Sequence, residues 1–280
     1  MLTRRALKRL RGLAKPVLLV AAVFGLLLGL LMLFETKLIF FPAKYPDGQW
    51  AFMERVGAED VWLTTGDNVR IHAAWLQSGE PGPAVLFFHG NAGNLSGRLP
   101  FMAAIQEELG CSVLIVDYRG YGKSDGSPSE QGLYSDADAA LAWLSNKGFA
   151  PERVLVWGNS LGGGVATELA TRHDVGALVL SSTFTSIPDM AKRSFPFIPS
   201  GLVRTQFDNL GKVGRISAAI VIVHSRQDAL IPYQMAEQLT EVASPGTQLV
   251  LLDGPDHNEV FHMRRTQVLD AVRPLAQRLR

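Results

Sequence analysis

An uninterrupted apolar run is the first strong feature of the chain. Residues 17–34, VLLVAAVFGLLLGLLMLF, contain no charged side chain. A helix of roughly 20 apolar residues crosses the hydrocarbon core of a bilayer, so this run predicts a transmembrane anchor. A cleaved signal peptide is the alternative interpretation, but its apolar region is usually shorter and is followed by a cleavage motif of small residues. Here the run is followed by ETKLIFFPAKYP, which favours an anchor that is retained.

Beyond about residue 59, short apolar runs alternate with segments in which apolar residues recur at every third or fourth position. The first pattern is typical of buried strands and the second of amphipathic helices. Eight segments have the strand pattern: VWLTT, VRIHAAWL, AVLFFHG, SVLIVDYRG, RVLVWGNS, VGALVLSST, AAIVIVHSRQD and TQLVLLDGPDHN. The first two flank the turn signal GDN and predict a β-hairpin. The central segments are apolar on both faces, which predicts an α/β fold with a mostly parallel eight-stranded sheet and helices on both faces.

These patterns divide the chain into four regions. The prediction is a basic N-terminus at 1–16, the transmembrane anchor at 17–34, a juxtamembrane connector at 35–58 and an α/β domain at 59–280. The connector contains LIFFPAKYP, which is apolar and aromatic enough to lie at a membrane interface. Packing of the same residues on the domain is the alternative.

The balance of charges limits the partners of the domain. The chain has 27 Lys and Arg and 26 Asp and Glu, a net charge of +1, so no strong field attracts nucleic acid and no nucleic-acid partner is expected. Positive flanks of a membrane span stay in the cytoplasm, which predicts a single-pass protein with a cytoplasmic N-terminus and a domain on the other side, the periplasm in a diderm bacterium. The basic residues that support this orientation are Arg4, Arg5, Lys8, Arg9, Arg11 and Lys15.

The single cysteine, Cys111, cannot form an intrachain disulfide. It precedes the strand pattern SVLIVDY, so we expect it to be a core residue. We expect neither a metal nor another cofactor, and a monomeric protein.

A glycine-rich motif surrounds one serine. Gly158-Asn159-Ser160-Leu161-Gly162 has the pattern G-x-S-x-G between a predicted strand and a predicted helix. In such a turn, the residues two positions before and after the serine nearly touch, so glycine is needed at both. The turn lifts the hydroxyl clear of the sheet and places it at a helix N-terminus, whose partial positive charge favours an anionic intermediate. The motif predicts Ser160 as a nucleophile, with Gly158 and Gly162 shaping the turn.

A serine nucleophile needs a base, and the base needs a carboxylate that orients it. In this type of site the chain order is serine, acid, histidine. His257, in the loop GPDHN after the last strand, is the predicted base, and Asp228, at the end of AAIVIVHSRQD, is the predicted acid. The weaker candidates are His173, His224 and His262 as bases, and Asp189, Asp253 and Asp256 as acids.

The oxyanion that forms on a substrate needs preorganised N–H donors. The backbone of Leu161, directly after the nucleophile, is the first predicted donor. The second is predicted in the loop FFHGNAGN, where His89 and Gly90 bring the backbone close and Asn91 presents its N–H. His89 precedes Ser160 in the chain, so we interpret it as a residue that shapes this loop rather than as the base.

Five motifs together carry a family resemblance. HGNAGN, DYRGYGKSDG, GNSLGGG, HSRQDALIP and GPDHN resemble those of the α/β-hydrolase superfamily, in particular the branch of serine aminopeptidase-like proteins, monoacylglycerol lipases and membrane-linked protein depalmitoylases. The resemblance covers about residues 60–278. It implies the α/β-hydrolase fold and a triad of Ser160, Asp228 and His257. It also implies that DYRGYGKSDG, Asp117–Gly126, is a rim loop rather than a catalytic one.

Two features depart from the pattern of that branch. Residues 183–213 are short for a large cap domain. No cysteine cluster lies near the N-terminus, where some depalmitoylases carry a lipid anchor, and a transmembrane helix takes its place.

Together these features predict a membrane-anchored serine hydrolase that cleaves acyl ester or thioester bonds through an acyl-enzyme intermediate. The expected substrate is a small-molecule or lipid acyl compound. FPFIPSGLV, at 195–203, is an apolar flap near the expected site, and with LIFFPAKYP it favours an acyl chain at or near the membrane. A serine aminopeptidase or amidase is the alternative enzyme, although no acidic residue is evident to hold a substrate amine. A non-catalytic binding protein is the last alternative, although such proteins usually lack a triad residue.

Overall fold

The computed structural model describes residues 4–79, 81–197 and 199–280. Residues 1–3 of the predicted basic segment and Ile198 of the predicted flap lie outside the described residues. The helices are α1 (Arg4–Ile39), α2 (Ala51–Arg55), α3 (Leu99–Leu109), α4 (Glu130–Asn146), α5 (Leu161–Arg172), α6 (Ile187–Ser194), α7 (Leu210–Val213), α8 (Tyr233–Val242), α9 (Val260–Met263) and α10 (Arg265–Arg278). The strands are β1 (Phe41–Pro42), β2 (Glu59–Thr64), β3 (Arg70–Leu76), β4 (Ala84–Phe88), β5 (Ala92–Gly93), β6 (Ser112–Val116), β7 (Val154–Asn159), β8 (Ala177–Ser181), β9 (Ala219–Ser225) and β10 (Gln248–Leu252).

The main sheet has eight strands in the order β10-β9-β8-β7-β4-β6-β3-β2. β2 and β3 form an antiparallel hairpin, and β3 is antiparallel to β6. The other six strands are parallel to one another, and they are β10, β9, β8, β7, β4 and β6. The predicted mostly parallel eight-stranded sheet and the predicted hairpin are therefore confirmed.

Helices cover both faces of this sheet, as predicted. On one face, α4, α5 and α8 bury apolar side chains such as Leu141, Leu169 and Leu239. On the other face, α3 and α10 do so with residues such as Ile105 and Leu269. The fold is held together by the burial of these two apolar layers, because the central strands β4, β6, β7 and β8 present buried side chains in both directions.

Cys111 lies in the second of these layers as a free, fully buried thiol. Burial raises its pKa to about 11, so the thiol stays protonated at neutral pH. A protonated, buried thiol is a poor nucleophile, and Cys111 has a packing position rather than a reactive one.

The strand order reverses at β4, which lies between β6 and β7. In open α/β sheets, ligands bind beyond the carboxyl ends of the strands at such a reversal. The loop after β4 begins with His89, and the turn after β7 contains Ser160. The topology therefore brings these two segments to one crevice.

The N-terminal helix continues beyond the predicted anchor. α1 ends at Ile39, so residues 35–39 of the predicted connector are helical. Its stretch Leu18–Ile39 is long and apolar enough to cross a membrane by length and composition. The rest of the connector lies against the domain, since β1 pairs with β5 and Met53 of α2 is buried in the core.

Candidate active site

The turn between β7 and α5 holds Ser160 in a strained backbone conformation, with φ 52° and ψ −117°. A non-glycine residue reaches positive φ at a cost of about 1–3 kcal/mol, and it persists only where the surroundings enforce it. Here the Ser160 N–H donates to the Ser181 carbonyl at 2.9 Å, and the Ser160 carbonyl accepts from Thr183 Oγ1 at 2.8 Å. These bonds fix the position of the serine hydroxyl.

The two glycines of the motif occupy positions with no room for a side chain. A Cβ atom at Gly158 would overlap the carbonyl of Gly162, and one at Gly162 would overlap the carbonyl of Phe88. Both obstacles are backbone atoms, so no side-chain rotation relieves the overlap. The glycines allow β7, α5 and the end of β4 to approach closely enough for the turn to form.

Gly162→Ala is expected to lower the free energy of unfolding by about 1–3 kcal/mol, the usual cost of excess volume in a packed site. Urea titration followed by circular dichroism measures this change. Gly66→Ala is the matched control, because a Cβ atom at Gly66 meets nothing within 4 Å. Equal losses in the two variants would contradict the assignment of Gly162 to a close backbone contact.

Three predicted site residues form one hydrogen-bonded chain. His257 Nε2 lies 3.1 Å from Ser160 Oγ, and His257 Nδ1 lies 2.7 Å from Asp228 Oδ2. All three residues are almost fully buried. An ionised carboxylate only accepts, so Nδ1 carries a proton that it donates to Asp228. In the neutral tautomer that carries this proton, Nε2 presents its lone pair to the serine hydroxyl.

The carboxylate of Asp228 is held by several donors. Its Oδ1 accepts from the backbone N–H groups of Leu230 at 3.0 Å and Ile231 at 2.7 Å. Burial alone would raise the pKa of Asp228, but hydrogen bonds from His224 and His257 outweigh it and lower the pKa below its usual range. Asp228 is therefore ionised at neutral pH, the state that orients an imidazole.

His224, a weaker candidate for the base, lies behind the acid instead, a position that the sequence did not indicate. Its ring is fully buried at the end of β9, with Nε2 2.9 Å from the Ile231 carbonyl and 3.2 Å from Asp228 Oδ2. The ring packs behind the acid and does not reach Ser160. The only feature of the sequence that could have indicated this position is that His224 precedes Asp228 by four residues.

The other candidate acids do not contact the ring of His257. Asp256 accepts from the backbone N–H groups of Ala229 at 3.0 Å and His257 at 2.7 Å, so it joins the two loops that carry the acid and the base. Both bonds lower the pKa of Asp256, and the bond from Ala229 has the larger effect. Asp253 is largely exposed near Arg226. Asp189 accepts from the hydroxyl groups at the start of α6.

The other candidate bases lie away from Ser160. His173 follows α5, with Nε2 3.0 Å from Asp138 on α4. His262 lies in α9 and is exposed.

The loop after β4 lies against the serine. A Cβ atom at Gly90 would be 3.4 Å from Ser160 Cβ. His89 Nδ1 donates to the Gly90 carbonyl at 2.7 Å. The Gly90 carbonyl and the Asn91 N–H belong to one trans peptide group, so they point in opposite directions. The Asn91 N–H therefore points away from the His89 ring. Within the described part of the chain, neither this N–H nor that of Leu161 has a hydrogen-bond acceptor.

Two tyrosines from the loop after β6 hold this backbone in place. Tyr118 Oη donates to the His89 carbonyl at 2.7 Å, and Tyr121 Oη donates to the Asn91 carbonyl at 2.8 Å. Both are in the segment DYRGYGKSDG, which the family resemblance placed at the rim. The sequence could have indicated them only through their position after a strand that neighbours β4.

Asp117 supports the same loop from beneath. Its Oδ1 accepts from the backbone N–H of Leu95 at 2.7 Å, and the rings of His72 and His89 face the carboxylate. Burial would raise the pKa of Asp117, but the two histidine rings that face its carboxylate lower it instead. This buried ionised group fixes the loop and does not reach Ser160.

A largely apolar cavity of about 230 Å³ opens beside Ser160. Asn91 and Leu161 border it, as do residues of α1, α6 and the flap at 195–203. Among the described residues, no group of three or more His, Cys, Asp or Glu side chains is placed to hold a metal ion.

Comparison with known proteins identifies the family. A family model described as the α/β-hydrolase fold matches residues 83–207. The α/β hydrolase domain-containing protein WAV2 of Arabidopsis thaliana is 34% identical over 253 residues, which is 81% of each chain. This chain belongs to the α/β-hydrolase family. Asp228 and His257 of this α/β hydrolase lie beyond the segment that the family model matches, so their grouping with Ser160 rests on the geometry above.

A further relative of this α/β hydrolase and one solved structure extend the likeness. An uncharacterized protein of Mycobacterium tuberculosis (strain CDC 1551 / Oshkosh) is 35% identical over 272 residues, 96% of each chain. The solved structure of the Pyrococcus furiosus esterase Pf2001 superposes with a TM-score of 0.69 at 21% identity, over 86% of this chain and 97% of the esterase. At that identity the structural likeness establishes the fold.

Proposed function

We propose that this α/β hydrolase is a serine hydrolase that cleaves acyl ester or thioester bonds through an acyl-enzyme on Ser160. The observation that carries the proposal is the hydrogen-bonded chain of Ser160, His257 and Asp228 at the mouth of an apolar cavity. A serine hydroxyl becomes an effective nucleophile when a base takes its proton, and this arrangement supplies that base.

The geometry supports an ordered mechanism. As Ser160 Oγ attacks the substrate carbonyl carbon, His257 Nε2 takes the hydroxyl proton and the carbonyl oxygen becomes an oxyanion. The N–H groups of Leu161 and Asn91, which have no acceptor among the described residues, donate to that oxyanion. His257 then gives its proton to the leaving group, which departs and leaves the acyl group on Ser160. A water molecule attacks the acyl carbon as His257 takes a proton from it, and His257 returns that proton to Ser160 Oγ as the acid product leaves. Asp228 stays ionised and stabilises the imidazolium.

An ester or thioester is favoured over a peptide because of the charges in the cavity. An aminopeptidase needs a free carboxylate to bind the substrate's ammonium group. Of the described residues that line the cavity, Glu35 is the one carboxylate, and it is paired with Arg204 and with the N–H of Thr205. A carboxylate that is already paired contributes little binding energy to a second cation. Apolar contact with the substrate is therefore the main source of binding energy in this cavity.

A substrate panel tests this proposal. The full-length chain is expected to hydrolyse p-nitrophenyl butyrate and a butyryl thioester, with little or no release of p-nitroaniline from aminoacyl p-nitroanilides. In the proposed site, the binding energy that stabilises the transition state comes from the buried acyl group of the substrate and not from a bound ammonium group. A higher kcat/KM for an aminoacyl anilide than for the esters would favour the aminopeptidase alternative, and inactivity on the whole panel would contradict the proposed chemistry.

We also propose that α1 is a retained membrane anchor. Its side chains from Leu18 to Val20 and at Leu33 are largely exposed, as expected for a lipid-facing surface, and the domain covers only a small share of the apolar stretch. Glu35 and Ile39 at its end are bonded to the domain, and removal of the helix by a signal peptidase would break those bonds. Retention keeps the site intact.

Fusion reporters test the orientation of this anchor. Six basic residues precede the apolar run, so alkaline phosphatase fused after Arg280 is expected to be active in a bacterial host and GFP at the same position to be dark. A fusion before the run, after Lys15, serves as the matched control and should give the opposite result. A bright GFP and an inactive phosphatase after Arg280 would place the domain in the cytoplasm.

A further inference from the structure

The anchor helix forms one wall of the cavity that contains Ser160. The spacing of its lining residues, three or four positions apart, puts them on one face of α1. They are Leu28, Leu31, Met32, Glu35, Leu38 and Ile39. α6 and the flap line the same cavity, with Met190, Phe195 and Val203 among their residues. A helix that only tethered the domain to a membrane would have no reason to share a cavity with the serine.

Two sets of hydrogen bonds hold α1 against the site. Glu35 is buried, and its carboxylate accepts from the backbone N–H groups of Arg204 at 3.0 Å and Thr205 at 2.7 Å and from Arg204 Nε at 3.2 Å. At the end of the helix, the side-chain amide of Asn91 donates to the Ile39 carbonyl at 3.1 Å. The helix is thus fixed both to the segment after the flap and to the loop beside Ser160.

The length of the lining face matches an acyl chain of a lipid. Leu28 and Ile39 are 11 residues apart in a continuous helix. That separation corresponds to about 16 Å along the axis. The hydrocarbon core of a bilayer is about 30 Å thick, so one leaflet accounts for about 15 Å. The Ile39 end of the face is bonded to Asn91 beside Ser160, and the Leu28 end lies inside the apolar run.

We propose that α1 is part of the substrate site, and that its inner face holds a long acyl chain with the carbonyl at Ser160 and the methyl end toward Leu28. The proposal rests on the serine-hydrolase function above and names its substrate class: long-chain acyl esters or thioesters whose chain lies in the membrane. The acyl chain of the substrate passes from the bilayer to Ser160 along the same helix that anchors the protein. Burial of its CH₂ groups against apolar side chains supplies the selectivity for length.

Tryptophan substitutions along the face test this arrangement in the full-length chain in detergent micelles. The measurement is kcat/KM for p-nitrophenyl butyrate, octanoate and palmitate. In the unmodified protein, kcat/KM should rise by about fourfold for each CH₂ of the substrate that the cavity buries, until the cavity is full. The values for octanoate and palmitate are then divided by the value for butyrate. Leu31→Trp, in the middle of the face, should lower both the octanoate-to-butyrate and the palmitate-to-butyrate ratios, the latter by at least about tenfold. Leu28→Trp, at the far end, should lower the palmitate-to-butyrate ratio and leave the octanoate-to-butyrate ratio unchanged.

Leu33→Trp is the matched control on the same helix. Leu33 is 72% exposed and lies outside the lining face, so both ratios should equal those of the unmodified chain. Identical ratios in Leu31→Trp and Leu33→Trp, or a ratio that does not rise with chain length in the unmodified protein, would overturn the inference. Failure of the proposed function has a different signature: butyrate hydrolysis would then survive Ser160→Ala.

Discussion

Ser160→Ala is expected to lower the turnover of p-nitrophenyl butyrate by at least about 10⁴-fold while the protein remains folded. In the proposed mechanism Ser160 Oγ forms the acyl-enzyme, so its removal leaves His257 and the two backbone donors without a nucleophile to assist. Any remaining rate comes from binding and from stabilisation of a water-derived oxyanion. Stopped or initial-rate assays with equal amounts of purified protein, and circular dichroism for the fold, provide the measurement.

Ser182→Ala is the matched control for this substitution. Ser182 is also buried, also has a positive φ of 48°, and its hydroxyl has no hydrogen-bond partner among the described residues. Its loss should leave turnover within about twofold, since removal of an unpaired hydroxyl takes away no bond. Full activity in Ser160→Ala, or an equal loss in the two variants, would contradict the role proposed for Ser160.

Asp228→Asn is expected to lower turnover by about 10⁴-fold with little change in fold. The asparagine amide can donate to His257 Nδ1, which favours the tautomer with the proton on Nε2. A protonated Nε2 cannot accept the serine proton, so the base is lost although its position is kept. The pH dependence of kcat and the rate itself, measured on the same ester, report this change.

Asp256→Asn is the control from the neighbouring loop. Asp256 contacts the backbone of His257 and not its ring, so this variant should lose far less activity than Asp228→Asn. If Asp256→Asn were the more damaging change, the carboxylate that orients His257 would have been misassigned.

The main sheet was predictable because burial on both faces leaves a simple pattern in the sequence. Every segment with the strand pattern, from VWLTT to TQLVLLDGPDHN, contributes one strand to it. The small elements were not predictable in this way. β1 and β5 have two residues each, too few for any periodicity, and they form because α1 brings residues 41–42 beside 92–93.

The end of the chain shows a second limit of periodicity. VFHMRRTQVLDAVRPLAQRL predicts one helix, but the structure has α9 and α10 with Arg264 between them at φ −127° and ψ 26°. The Arg264 side chain donates to the Asp253 carbonyl through Nε at 3.1 Å and through Nη2 at 2.8 Å. Arg264 therefore contacts a distant loop at the point where the helix is interrupted, and apolar spacing carries no information about this contact.

The site was predictable as far as local motifs and chain order reach. G-x-S-x-G and the order of acid and base point to Ser160, Asp228 and His257, and the fold brings these three together. The supporting contacts were not predictable, because they depend on which distant elements become neighbours. Tyr121 reaches Asn91 since β6 lies beside β4, and α1 reaches the cavity although it is separated from Ser160 by more than a hundred residues.

Mapping of a covalent adduct tests the central claim most directly. The full-length chain is incubated with a fluorophosphonate, digested and analysed by tandem mass spectrometry, with Ser160→Ala treated in parallel. The proposed mechanism predicts one phosphonylated residue, Ser160, labelled in proportion to the loss of esterase activity, and no label in the alanine variant. A label on another residue, or full esterase activity after complete labelling of Ser160, would contradict it.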